Sequence, residues 1–78
     1  MTIGETLRQA RKAVGLTQKQ IADMLGVSRQ FANDLERDRR AFAEKYLPDL
    51  PPAVRGPVAE ALMNQHHEAI SRLSGAAQ

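Results

Sequence analysis

A chain of 78 residues has room for one domain, near the length at which a single core only just suffices, so a second copy is expected to contribute stability. The absence of cysteine excludes a disulfide framework and thiolate metal sites, and no apolar run approaches the roughly 18 residues of a membrane span. Eleven Lys and Arg against nine Asp and Glu leave a net charge of +2, too mild to establish a nucleic-acid partner by itself.

The first element is an amphipathic helix. Ile3, Leu7, Ala10 and Val14 recur at steps of four, three and four, and the stripe ends near Gly15. Thr17 stands in front of "QKQIADML", where its hydroxyl is placed to accept from an unpaired N–H in the first turn. Ile21 and Leu25 give this second helix, about Gln18 to Leu25, its buried face. Gly26 suits a left-handed stop, Val27 plugs the corner and Ser28 caps a third helix beginning at Arg29. So short a connection forces helices 2 and 3 into a compact corner, with Ala22 as the small residue at their closest approach.

The run "ARKAVGLTQKQIADMLGVSRQFANDLE", Ala10 to Glu36, resembles the helix-turn-helix domains of phage repressors and Cro proteins, the xenobiotic-response-element family. It covers about a third of the chain. Gln18, Ala22, Gly26, Val27, Ser28 and Leu35 stand where that family has the start of helix 2, the small contact residue, the turn, the cap of helix 3 and its late apolar anchor. One departure is Ala32, at a position usually held by Ile or Val, preceded here by the bulky Phe31. The resemblance implies an all-α, compact five-helix, lambda-repressor-like domain over residues 1–78. Its helix-turn-helix core lies at 17–37, with helix 3 as the recognition helix.

The family's glycine-containing loop after helix 3 is missing from "RDRRAFAEKY". Prolonging the helix swings Asp38 and Arg39 toward the apolar side, so a break is expected near Arg37 to Arg39. A continuous helix from Ser28 to Tyr46 is the alternative, because Phe42 returns to the stripe. A short fourth helix is expected over Ala41 to Leu47, then a bend at "LPDLPP". The last helix is expected over about 57–73, opening at Pro57 and closing at Ser74 and Gly75, with "GAAQ" as a frayed tail. Its apolar face, Val58, Leu62, Ala69 and Leu73, is the expected homodimer interface.

Charge sharpens the functional expectation. Residues 1–45 hold nine basic and six acidic side chains, whereas residues 46–78 hold two and three, so the basic end is the candidate surface. Only three aromatic residues are available to stack on unpaired bases, which favours duplex DNA over single strands or RNA. In the repressor architecture helix 2 crosses the phosphates while helix 3 enters the major groove, about 12 Å wide. Arg29, Gln30, Asn33 and Asp34 are the base-reading candidates, since Arg matches guanine and Gln or Asn matches adenine. Thr17, Gln18, Lys19, Ser28, Arg37, Arg39 and Arg40 are the candidates for phosphate contact, which positions the protein without specifying sequence. The competing reading of these side chains is a solvated helix surface.

Among the acids, Glu36 is expected to pair with Arg11, as helices 1 and 3 often do in repressor-like domains, or else with a neighbour such as Arg40. Asp34 is left with two roles, selecting a base through cytosine N4 or tethering Arg37. His66 and His67 are adjacent and point about 100 degrees apart on a helix, which argues against a shared metal. No catalytic triad context or phosphate-cradling glycine loop is visible, so neither an enzyme nor a cofactor is expected.

The resulting expectation is a dimeric DNA-binding regulator of an inverted-repeat operator, most simply an autorepressor of a phage or mobile-element operon, such as an anti-CRISPR-associated repressor. It implies a cytoplasmic location, no membrane association and no small-molecule ligand. Two alternatives are an antitoxin that binds both operator and toxin, and a protein-interaction module that has lost DNA binding.

Overall fold

The computed structural model describes the backbone of residues 1–76 and the side chains of residues 1–65. Four α-helices, α1 (Ile3–Ala13), α2 (Gln18–Leu25), α3 (Arg29–Glu36) and α4 (Pro52–Ala76), are joined with one 3-10 helix, Glu44–Asp49, and no strand occurs among the described residues. No helix among them is long and apolar enough to cross a membrane.

Local chemistry fixes the first three helices. Thr2 caps α1, its hydroxyl accepting from the Glu5 N–H at 3.1 Å, and the chain leaves that helix through Gly15 at φ 75°. Val14, placed in the apolar stripe by periodicity, is instead the C-cap residue and 42% exposed, because the helix has already ended at Ala13. At α2 the capping is reciprocal: Thr17 accepts from the Gln20 N–H at 3.1 Å, and the Gln20 side chain accepts from the Thr17 N–H at 2.8 Å. Gly26 closes α2 in the left-handed conformation, and Ser28 then accepts from the Phe31 N–H at 3.0 Å to start α3.

The core unites every element. Leu7 of α1, Ile21 and Leu25 of α2, Leu35 of α3, Leu50, and Val54 with Val58 of α4 form one buried cluster, with Ala22 and Ala32 buried at the helix contacts. Phe31, half-buried beside the small Ala32, packs edge-on against Tyr46 at a centroid distance of 5.9 Å, and Phe42 does the same at 5.7 Å. Phe31 thus adds apolar bulk on the side of α3 that faces Tyr46, while Ala32 is fully buried.

Beyond α3 the chain departs from several expectations. The helix ends at Glu36, which excludes the continuous Ser28 to Tyr46 alternative, and Asp38 takes the left-handed conformation at φ 59° in place of the missing glycine. That conformation is held by contact with α1. The Asp38 carboxylate accepts from the Gly4 N–H at 3.0 Å and from the Thr2 hydroxyl, satisfying a donor at a helix start. The expected helix over Ala41 to Leu47 is instead the 3-10 helix Glu44–Asp49. It absorbs Pro48 and is closed by Arg55, whose guanidinium donates to the carbonyls of Leu47, Pro48 and Leu50.

Helix α4 begins at Pro52 rather than Pro57, with the Pro51 carbonyl accepting from the Val54 and Arg55 N–H groups at 2.9 and 2.8 Å. Pro52 needs no donor in a first turn, while Pro57 lies inside the helix and has no N–H to give to the residue four positions earlier. The helix also passes the stop expected at Ser74 and Gly75. Val58, assigned by periodicity to a dimer face, is fully buried in the chain's own core, because the earlier helix start carries it under α1. The side chains of Ala69, Leu73, His66 and His67, and the end of the expected "GAAQ" tail, lie outside the described residues.

Candidate nucleic-acid interface

The interface is built outward from a buried ion pair. Arg11 of α1 and Glu36 of α3 meet through a two-pronged contact, Nε to Oε2 at 2.7 Å and Nη2 to Oε1 at 3.0 Å, while Nη1 donates to the Leu16 carbonyl at 2.9 Å. Both side chains are almost fully enclosed, at 11% and 3% exposure. Burial of two charges is costly unless every donor and acceptor finds a partner, and this geometry supplies them. The alternative pairing of Glu36 with Arg40 is not formed.

Gln18, the first residue of α2, extends that pair toward the surface. Its amide nitrogen donates to Asn33 Oδ1 at 3.1 Å and, less closely, to Glu36 Oε1 at 3.4 Å. The two hydrogens of that nitrogen are therefore engaged within the protein. The phosphate contact expected of Gln18 is left to its main-chain N–H, which like that of Lys19 has no partner inside the helix. Thr17 and Ser28 use their hydroxyl oxygens to cap helices and keep their hydroxyl protons for donation outward.

On α3, Arg29 and Gln30 are exposed and Asn33 and Asp34 are half-buried, opposite the face that buries Ala32 and Leu35. Gln30 donates from Nε2 to Asp34 Oδ1 at 3.1 Å. The tether expected between Asp34 and Arg37 is replaced by this contact. Four residues of separation align side chains along a helix, whereas Arg37 sits at the C-cap, where the backbone has begun to turn away. Among the described residues no hydrogen bond occupies the guanidinium of Arg29 or Arg37, both exposed.

Of the remaining expected phosphate contacts, Lys19 lies in α2 and Arg39 and Arg40 lie in the loop that follows α3. Lys19 and Arg39 are exposed, and the Arg40 guanidinium stacks over the Phe31 ring at 4.3 Å from its centroid. Such a stack leaves the guanidinium edge, with its N–H groups, directed away from the ring. Lys45 lies over Tyr46 at 5.4 Å. The stacked arginine, the Gln18 bridge and the Gln30 to Asp34 contact were not anticipated from the residues. Only the last had a usable signal, its i, i+4 spacing on one helix.

Residues 7–50, more than half of the chain, match the helix-turn-helix family model, and the capped helix α2, the left-handed glycine turn and α3 all lie within them. The chain belongs to the Cro/C1-type helix-turn-helix family. Its fold is the all-helical, lambda-repressor-like one, and its family is one of DNA-binding transcription regulators rather than enzymes. Comparison with curated proteins and with solved structures returned no match. The matched segment reaches well past the helix-turn-helix pair. It takes in both partners of the buried ion pair, Arg11 and Glu36, and the whole 3-10 helix.

Proposed function

We propose that this helix-turn-helix protein is a dimeric repressor that occupies an inverted-repeat operator, with α3 of each copy in a major groove. The observation that carries the reading is the hydrogen-bonded series from Arg11 through Glu36 and Gln18 to Asn33, which places a base-competent amide on α3 with little freedom left to lose on binding. Arg29, Gln30 and Asp34 complete the reading face. Thr17, Ser28, Lys19, Arg37, Arg39 and Arg40, with the free N–H groups of α2, surround it as phosphate contacts.

Two-fold symmetry sets the operator's shape: half-sites lie about 34 to 36 Å apart, centre to centre. Helix α4 is the proposed dimer element, now centred beyond Val58, where Leu62 is half-buried and Met63 is 72% exposed. In this reading the repressor is controlled by its own concentration, in the cytoplasm, at the operon that encodes it. A phage or mobile-element operon, such as an anti-CRISPR-associated one, is the setting this reading favours.

An electrophoretic shift on the DNA upstream of the gene tests the proposal. Specific binding that weakens steeply between about 50 and 200 mM salt is expected, since phosphate contacts release counterions. Absence of binding even at low salt contradicts it. Sedimentation of a monomer at high concentration, with and without DNA, contradicts the dimer.

A further inference from the structure

We infer that the ring pair Phe31 and Tyr46 mounts two cations, Arg40 and Lys45, as a preset phosphate clamp on the edge of α3 opposite α2. Lys45 is not among the phosphate contacts proposed above, and Phe31 and Tyr46 act here as positioning residues. The clamp rests on the DNA-binding function proposed above.

Its placement follows from the geometry of α3. Asn33 lies on the edge that meets α2, where it accepts from Gln18 at 3.1 Å. Phe31 stands two residues earlier, and at about 100 degrees per residue the two side chains leave the helix on nearly opposite edges. There Phe31 meets the 3-10 helix, edge-on to Tyr46 at 5.9 Å. The exposed Arg29 and Gln30 lie on the face between these edges. A helix with its side chains is about 10 to 12 Å across, close to the roughly 12 Å width of the major groove. With that face on the bases, the start of α2 lies beside one phosphate wall of the groove and the Phe31 edge beside the other.

Both cations sit on this second edge. The Arg40 guanidinium is 4.3 Å from the Phe31 centroid and the Lys45 ammonium 5.4 Å from the Tyr46 centroid, each within the range at which a ring face attracts positive charge. The four side chains form one cluster, with half-buried rings and exposed cations. Neither cation has a carboxylate partner among the described residues. A long charged side chain gives up rotamer freedom when it is pinned to a phosphate, and one already drawn over a ring has given up part of it beforehand. A carboxylate in the same place would orient the cations equally well but cancel their charge. The rings orient without cancelling.

Wild type, Lys45→Ala, Phe31→Leu and Phe31→Tyr are to be titrated by fluorescence anisotropy with a selected operator and a scrambled duplex at several salt concentrations, with thermal midpoints recorded alongside. Lys45→Ala is expected to weaken both duplexes by a similar factor and to lower the salt slope by about one. Phe31→Leu keeps both charges but removes the ring face, so both affinities are expected to fall by about two- to fivefold at unchanged slope, and Phe31→Tyr is expected to restore them. In an Arg40→Ala background Phe31→Leu is expected to cost little further, a coupling that a purely structural ring does not show. An unchanged salt slope in Lys45→Ala overturns the inference, as does a Phe31→Leu loss of the same size with and without Arg40. Should Phe31→Leu fail to fold, Lys45→Ala decides alone, since that side chain is exposed. A wild type that binds neither duplex at low salt contradicts the DNA-binding function itself, which is a different result from binding that ignores Lys45.

Discussion

Arg11 shows how one residue serves stability and function at once. Its charge is enclosed with that of Glu36, so Arg11→Ala strands a carboxylate in a region that water barely reaches. Breaking such a pair from one side costs about 3 to 5 kcal/mol, a large share of what a domain this small possesses. Urea denaturation should show that loss as a lower midpoint. Replacing both partners by apolar residues of similar volume, as in Arg11→Met with Glu36→Leu, is expected to recover most of the stability. It should not recover operator specificity, because Gln18 then loses the carboxylate that orients it. Stability and specificity separate in this double variant, and parallel recovery of both would show that the ion pair is structural only.

At the scale of elements, the start of α1 is packed tightly against the end of α3. A Cβ on Gly4 would come within 2.6 Å of the Leu35 and Glu36 carbonyl oxygens, backbone atoms that have no flexible side chain to yield. Gly4→Ala is therefore expected to destabilise by about 1 to 3 kcal/mol, read as a lowered thermal midpoint. An unchanged midpoint would show that the two helices are not held this close. This contact also explains which elements were legible in the sequence. The caps at Thr17 and Ser28 and the stop at Gly26 act over three or four residues, so their signals sit beside the structures they make. Asp38 was legible as the exit of α3 but not as the anchor of α1, because its partners Thr2 and Gly4 are far away along the chain. The start of α4 was misplaced for a related reason. Pro57 is a common first-turn residue, but Pro52 is equally suited and is selected by the packing of Val54 and Val58. Likewise Gln18 and Asn33 were each placed near DNA, while the bond between them depends on the crossing of two helices.

For the whole molecule, Arg11 and Glu36 are the buried charges among the described residues, and the other charged side chains of residues 1–45 are half-buried or exposed. Glu36, Asp38 and Asp34 are engaged with Arg11, the α1 start and Gln30 respectively, which leaves Lys19, Arg29, Arg37 and Arg39 without an acidic hydrogen-bonding partner among the described residues. The net charge of +2 is unevenly spread: residues 1–45 hold nine basic and six acidic side chains, which puts the positive potential at the end of the chain that carries α2 and α3. Arg40, held over Phe31, is expected to contribute to that backbone term alone. Arg40→Ala should weaken binding to every duplex by a similar factor and lower the salt slope by about one, measured by titrations at several salt concentrations. A loss confined to one operator sequence would place Arg40 at a base instead.

The central claim is that the outer face of α3 reads sequence, and Asn33→Ala tests it most directly. Anisotropy titrations on a selected operator and on a scrambled duplex of the same length should show operator affinity falling by on the order of tenfold while scrambled affinity stays unchanged. Equal losses on both duplexes would contradict the account, because Asn33 would then be supporting the fold or the phosphate contacts rather than reading a base.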